Sequence, residues 1–211
     1  MLVGKINSID KLKFMCKTIH ANHTKYFENL AKLLKHHRFF ANIFGFNFSD
    51  GIEALPKKLS LLYRASEHNF SASKFHKICD GKGPTLTIIR STSKTLFGGY
   101  ASKSWFSGNR YETASDSFLF SLDKETRHEI YQNEGNAMRG SNDWGPCFRG
   151  SIFGGDLTIS DKCNCGSSSY SDLGQTYLLP KEIDSRSDTA QSYLGGSYPF
   201  QVEEYEVFKV T

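Results

Sequence analysis

The side chains in this 211-residue sequence that could carry chemistry are few and scattered. A serine hydroxyl becomes a useful nucleophile only when a positioned base accepts its proton. The usual strand-to-helix setting for that arrangement is G-x-S-x-G. No such motif occurs; the nearest approach, Gly195 to Ser197, has Pro199 where the closing glycine would stand. A cysteine nucleophile could come from Cys147 or Cys163, with His128 or His76 as base, and the spacing leaves open whether any of these meet.

Metal chemistry is equally thin. Cys163 and Cys165 form a C-x-C and His36 adjoins His37, but a structural zinc site takes two spaced ligand pairs and no second close pair follows. Asp156, Asp161 and Asp172 lack the dense oxygen spacing of a calcium loop. GKGPT lacks the Lys-Ser/Thr ending that cradles phosphates. The sequence therefore gives no catalytic set, no metal site and no cofactor site. Cys163 and Cys165, with Lys162 beside them, are the redox candidates, since an exposed low-pKa thiolate can be oxidised and reduced again.

The acidic candidates are binding residues. Glu203, Glu204 and Glu206 fall in an alternating segment that sends Glu204 and Glu206 to one face and Val207 to the other. Two like charges on one face call for an offset, from a Lys or Arg of the same domain or from a partner's basic residue. Asp156 follows glycines and is placed to accept backbone N–H groups in its own turn.

Charge is divided unevenly along the chain. Up to Asp50 there are eight Lys and Arg against three Asp and Glu, net +5; the remaining 18 against 19 give net −1. Lys32 and Lys35 are the candidates in this basic arm for an anionic membrane surface or an acidic partner. There is no arginine-rich cluster and no nucleic-acid motif, so DNA or RNA binding is not expected. No apolar run is long enough to cross a bilayer, and Lys5, Asp10, Lys11 and Lys13 occupy the start where a secretory signal needs an apolar stretch. Five cysteines without even spacing fit a reducing compartment. The expectation is a cytoplasmic protein.

Residues 1–50 have helical period. Ile9, Leu12, Met15, Cys16 and Ile19 recur at three and four after Ser8, as do Phe27, Leu30, Ala31, Leu34 and His37 after Asn22 or Thr24. The cluster Phe39, Phe40, Ile43, Phe44, Phe46 and Phe48 is too aromatic to be left in water, so this arm is read as folding back on its own domain rather than on another chain. From Leu59 the period changes. LSLLYR, TLTIIR, KTLFGGYA, SFLFSL, RHEIYQ, GDLTIS and QVEEYEVFKV read as short strands separated by turn residues. Between the first two, SASKFHKICDG predicts a helix capped by Ser71, with Phe75, Ile78 and Cys79 inward and Gly81 at its end. The serine-rich CNCGSSSYSDLG predicts a long loop.

In this order, GPTLTIIR, LFGGYASKSW, FLFSL, FGGDLTIS and VEEYEVFKV resemble the TLDc domain, shared by the oxidation-resistance proteins and regulators of the vacuolar-type proton ATPase. The resemblance covers about residues 52–211. In one departure, Gly145 and Pro146 are followed by CFRGSI before Phe153, where the family commonly runs almost directly into FGG. The resemblance implies a mainly β fold with flanking helices: a two-sheet antiparallel β-sandwich over 51–211, preceded here by the helical arm of 1–50. It also implies a non-catalytic protein-interaction module that binds and regulates the vacuolar-type proton ATPase, protects against oxidative stress and works at endolysosomal or vacuolar membranes. The alternatives are a hydrolase with Cys147, His128 or the strand carboxylates in its site, and a phosphoinositide or membrane-surface adaptor using the basic arm.

Overall fold

The computed structural model describes residues 59–149, 155–166 and 168–211. The helical arm expected over 1–50, with Lys32 and Lys35, lies outside the described residues, as do Phe153 and Gly154 of the second FGG.

Ten strands and two short α-helices make up the described chain. β1 (Leu59–Arg64) leads through a short 3-10 turn at Ser66–His68 into α1 (Ala72–Cys79). Then come β2 (Thr85–Ser91), β3 (Leu96–Ala101), β4 (Tyr111–Glu112), β5 (Phe118–Ser121) and β6 (Thr126–Glu129). β7 (Met138–Arg139), β8 (Trp144–Phe148), β9 (Leu157–Ser160), α2 (Asp188–Ser192) and β10 (Val202–Val210) complete it. Two antiparallel sheets result, one ordered β1-β10-β2-β3-β5-β6 and the other β4-β7-β8-β9. The C-terminal strand thus enters the first sheet between β1 and β2, so the first and last described strands are laced into one ladder.

α1 forms where the sequence predicts it. The Ser71 side chain accepts from Lys74 N–H, Phe75 and Cys79 are buried, Ile78 packs partly against the core, and Gly81 follows with φ +69°. The long loop between β9 and α2 is also present. The sequence reading missed β8, whose proline and glycine (Gly145, Pro146) obscure an otherwise apolar strand, and the two-residue strands β4 and β7.

Register decides which side chains meet. Val207 pairs with Thr87, Thr87 with Gly99, and Gly99 with Leu119; this row faces the second sheet, with Tyr205, Ile89 and Phe97 beside it in the shared core. The glycines of FGG follow from crowding. A Cβ at Gly99 would fall 2.6 Å from the Phe148 ring of the second sheet, and one at Gly98 would run into the backbone carbonyl of Thr87. The neighbouring residues point the opposite way: Phe208 pairs with Leu86, and Glu206 with Ile88, on the outer face of the six-stranded sheet.

Candidate functional site

Asp156 organises the most elaborate polar feature among the described residues. It is fully buried just before β9, and its carboxylate accepts from the consecutive N–H groups of Gly174, Gln175, Thr176 and Tyr177 at 2.9–3.2 Å. The sequence expectation that Asp156 binds N–H groups of its own turn is corrected here. The donors belong to a turn 18 to 21 residues later, beyond the serine-rich loop. Gly174, at φ +109°, lets those N–H groups converge on one carboxylate. Burial pushes the Asp156 carboxyl up to about 7, while the four N–H donors pull it down.

An exposed surface borders this turn. Tyr131 Oη donates to the Gly174 carbonyl at 2.7 Å, and Gln132 Nε2 donates to Tyr131 Oη and to the Gln175 carbonyl. Leu178 N–H donates to the Glu129 carbonyl, and Ile130 bridges Tyr177. Tyr131 is 50% exposed and Leu178 43%, two of the exposed large apolar residues described. Sequence reasoning missed both, since Tyr131 reads only as part of the strand RHEIYQ and Leu178, in loop sequence, gives no periodic signal.

The candidates for acid–base or nucleophilic work sit apart. His128 Nδ1 donates to the Leu178 carbonyl at 2.7 Å, its Nε2 accepts from Thr126 Oγ1, and burial pushes it down to about 4. Cys147 is buried against Thr158 Oγ1, and burial pushes its thiol up. No hydrogen bond of either residue reaches the other. His76 lies between Asp80 Oδ1 and the Trp144 carbonyl, each 2.8 Å away. A surface cleft of about 440 Å³, lined by Asp80, Lys103, Trp105, Phe106, Arg110 and Glu112, includes none of Cys147, His128, Glu204 or Glu206.

The strand carboxylates divide the work expected of them. Glu206 is fully buried and paired with Arg64 Nε at 2.7 Å, which supplies the anticipated offset. Glu204 instead accepts from the backbone N–H of Ser66 at 3.1 Å, at the start of the 3-10 turn, and from Tyr205 N–H. Glu203 pairs with Lys94 and Arg90. Both carboxylates named as binding candidates thus serve the join between β10 and β1.

Cys163 is fully buried, and burial pushes its thiol up to about 12. Cys165 is exposed, and both are free thiols. Among the described residues no cluster of His, Cys, Asp and Glu could hold a metal ion, and no helix is long and apolar enough to cross a membrane.

Two antiparallel sheets around an apolar core, with Tyr131 and Leu178 exposed beside a turn held by the buried Asp156, make a β-sandwich module. The chain belongs to the TLDc domain family, whose pattern matches residues 31–211. It is 27% identical over 158 residues to zebrafish (Danio rerio) MTOR-associated protein MEAK7, covering 69% of this chain and 34% of that protein. It is 35% identical over 71 residues to TBC1 domain family member 24 of Xenopus tropicalis, covering 31% of this chain and 13% of that protein. With the GTPase-activating protein skywalker of Drosophila melanogaster the figures are 34% over 71 residues, 29% and 12%. The chain spans about a third or less of the length of these curated relatives.

Proposed function

We propose that this chain is a non-catalytic protein-interaction module that docks its partner on the surface around Tyr131 and Leu178. The observation that carries the reading is the pinning of that surface. Tyr131, hydrogen-bonded to the Gly174 carbonyl, and Leu178, next in sequence after Tyr177, are exposed beside a turn whose consecutive N–H groups Asp156 holds. A preorganised aromatic anchor loses little conformational freedom on binding, which is what a recognition hot spot requires. The TLDc resemblance supports the vacuolar-type proton ATPase as the partner, with action on the cytoplasmic side of endolysosomal or vacuolar membranes and protection against oxidative stress as the outcome. The zebrafish relative's MTOR association supports a protein partner in general.

The test is a pull-down of purified proton-pump sectors by the full chain, run beside liposomes with and without phosphoinositide. Retention of a pump sector by wild type, lost on Leu178→Asp, supports the reading. Salt-sensitive liposome binding that vanishes on charge reversal at Lys32 and Lys35, without pump capture, replaces it with the membrane-adaptor reading.

A further inference from the structure

The outer face of the six-stranded sheet carries a row of apolar side chains. Leu86, Ile88, Phe120 and Phe208 are fully buried and Val210 nearly so. Cross-strand pairing puts them on the side away from the second sheet, with Phe208 against Leu86, and Glu206 against Ile88. Among the described residues, the elements that contribute to the core do so on the inner side: Phe75 and Cys79 of α1, Tyr193 and Leu194 after α2, and the strands of the second sheet. A row of aromatic and aliphatic side chains buried on an outer face needs a second layer against it, because a sheet with two apolar faces is stable only when both are covered.

We propose that the chain's own N-terminal segment, residues 8–48, is that layer, docking intramolecularly on the face formed by Leu86, Ile88, Phe120, Phe208 and Val210. The segment has suitable chemistry: two stretches of helical period, each with an apolar stripe, and then Phe39, Phe40, Ile43, Phe44, Phe46 and Phe48. It has the reach, since only ten residues separate Phe48 from Leu59, the first residue of the sheet's edge strand. It has the size. Strands about 4.8 Å apart make a six-stranded sheet roughly 24 Å across, and two helices, each about 10 Å wide, cover most of that. The family match supports a segment integral to the domain, because it begins at residue 31, well before β1, and takes in the aromatic cluster. The lysines of each stripe fall on its polar side and would remain in solvent.

β2 supplies an internal control, since Ile88 faces outward and the adjacent Ile89 belongs to the inner core. Isoleucine methyl NMR of the full 23.8 kDa chain reads the two separately. The proposal expects nuclear Overhauser contacts from the Ile88 methyl to ring protons of Phe39 to Phe48 within one molecule. It also expects Phe40→Ala with Phe44→Ala to shift the Ile88 methyl more than that of Ile89. Contacts from Ile88 appearing only between differently labelled molecules would assign the face to a second copy and overturn the proposal. An Ile88 methyl that contacts only water, or does not respond to the Phe40/Phe44 variant, would overturn it as well.

Discussion

Asp156 and Tyr131 grip the same residue from opposite ends: the Asp156 carboxylate accepts the Gly174 N–H at 3.0 Å, and the Tyr131 hydroxyl donates to the Gly174 carbonyl at 2.7 Å. The exposed ring of Tyr131 is thereby tied to a fully buried charge-bearing group, and the turn between them has little freedom to rearrange. Asp156→Asn would set an amide NH2 against N–H donors that one oxygen now accepts. Leaving buried donors unmet costs about 1–3 kcal/mol each, so a drop of that size in urea-unfolding free energy is expected. Tyr131→Phe, which removes one hydrogen bond at a half-exposed site, should cost about 1 kcal/mol or less. Equal stability of Asp156→Asn and wild type would show that the turn is held by something else.

The same carboxyl predicts a pH dependence. Burial raises it from the ordinary 3.8 to about 7 in the folded chain. Between those values the native state holds a proton that the unfolded chain has released, so this group's contribution is full below about 3.8 and is lost as pH rises through about 7. Denaturant titrations across that window should therefore show a falling component in wild type that is missing in Asp156→Asn. The same slope in both proteins would remove Asp156 from the account.

Arg64 and Glu206 close the ladder between β1 and β10 with a pair whose side chains are 9% and 0% exposed. Taking one partner from a buried pair leaves a charge without it and typically costs about 3–5 kcal/mol. Arg64→Met should fall in that range by thermal or chemical unfolding. Arg64→Met with Glu206→Leu should recover a good part of the loss. A double variant no better than the single one would mean that the pair is not acting as a unit.

Gly98 offers a sharper steric test. A methyl there meets the backbone carbonyl of Thr87, which cannot swing aside as a side chain could. Gly98→Ala should destabilise the domain by several kcal/mol, at the high end of single-residue effects, and yield mostly insoluble protein. A soluble Gly98→Ala chain with native stability would show that β2 and β3 can separate further than their register implies.

The thiols should separate by access. Cys79, Cys147 and Cys163 are buried and Cys165 is exposed. Burial holds Cys79 and Cys163 near 12, far from the thiolate form at neutral pH. In a Cys16→Ser background, native labelling with a thiol reagent should modify one residue, and Cys165→Ser should abolish it. Rapid labelling of Cys163 in the folded chain would reinstate it as a redox centre.

The strands were legible because β-branched or aromatic runs and turn punctuation coincide: Thr85 to Ser91 and Val202 to Val210 each bury side chains on both faces, and FGG marks β3. α1 was legible down to its cap, because Ser71 and Gly81 bracket one apolar stripe. β8 was not, since Gly145 and Pro146 look like a break until the register with Thr158 and Leu157 is known. The site was harder to read. The role of Asp156 depends on N–H groups many residues away, and loop closure across the serine-rich segment leaves no local pattern. The partner of Glu206 was anticipated in kind, but Arg64 lies 142 residues earlier and only the place of β10 beside β1 brings it there. Tyr131 and Leu178 become a pair only through the bridge between Ile130 and Tyr177.

The most direct test of the account is the affinity of a purified proton-pump sector for the full chain, measured by calorimetry for wild type, Leu178→Asp and Tyr198→Ala. Leu178 and Tyr198 are both exposed, so neither change should disturb the fold, and only the first adjoins the turn pinned by Asp156. The account predicts that Leu178→Asp weakens binding by about tenfold or more, the loss of a hot-spot contact, while Tyr198→Ala binds as wild type does. Undiminished binding by Leu178→Asp would contradict it.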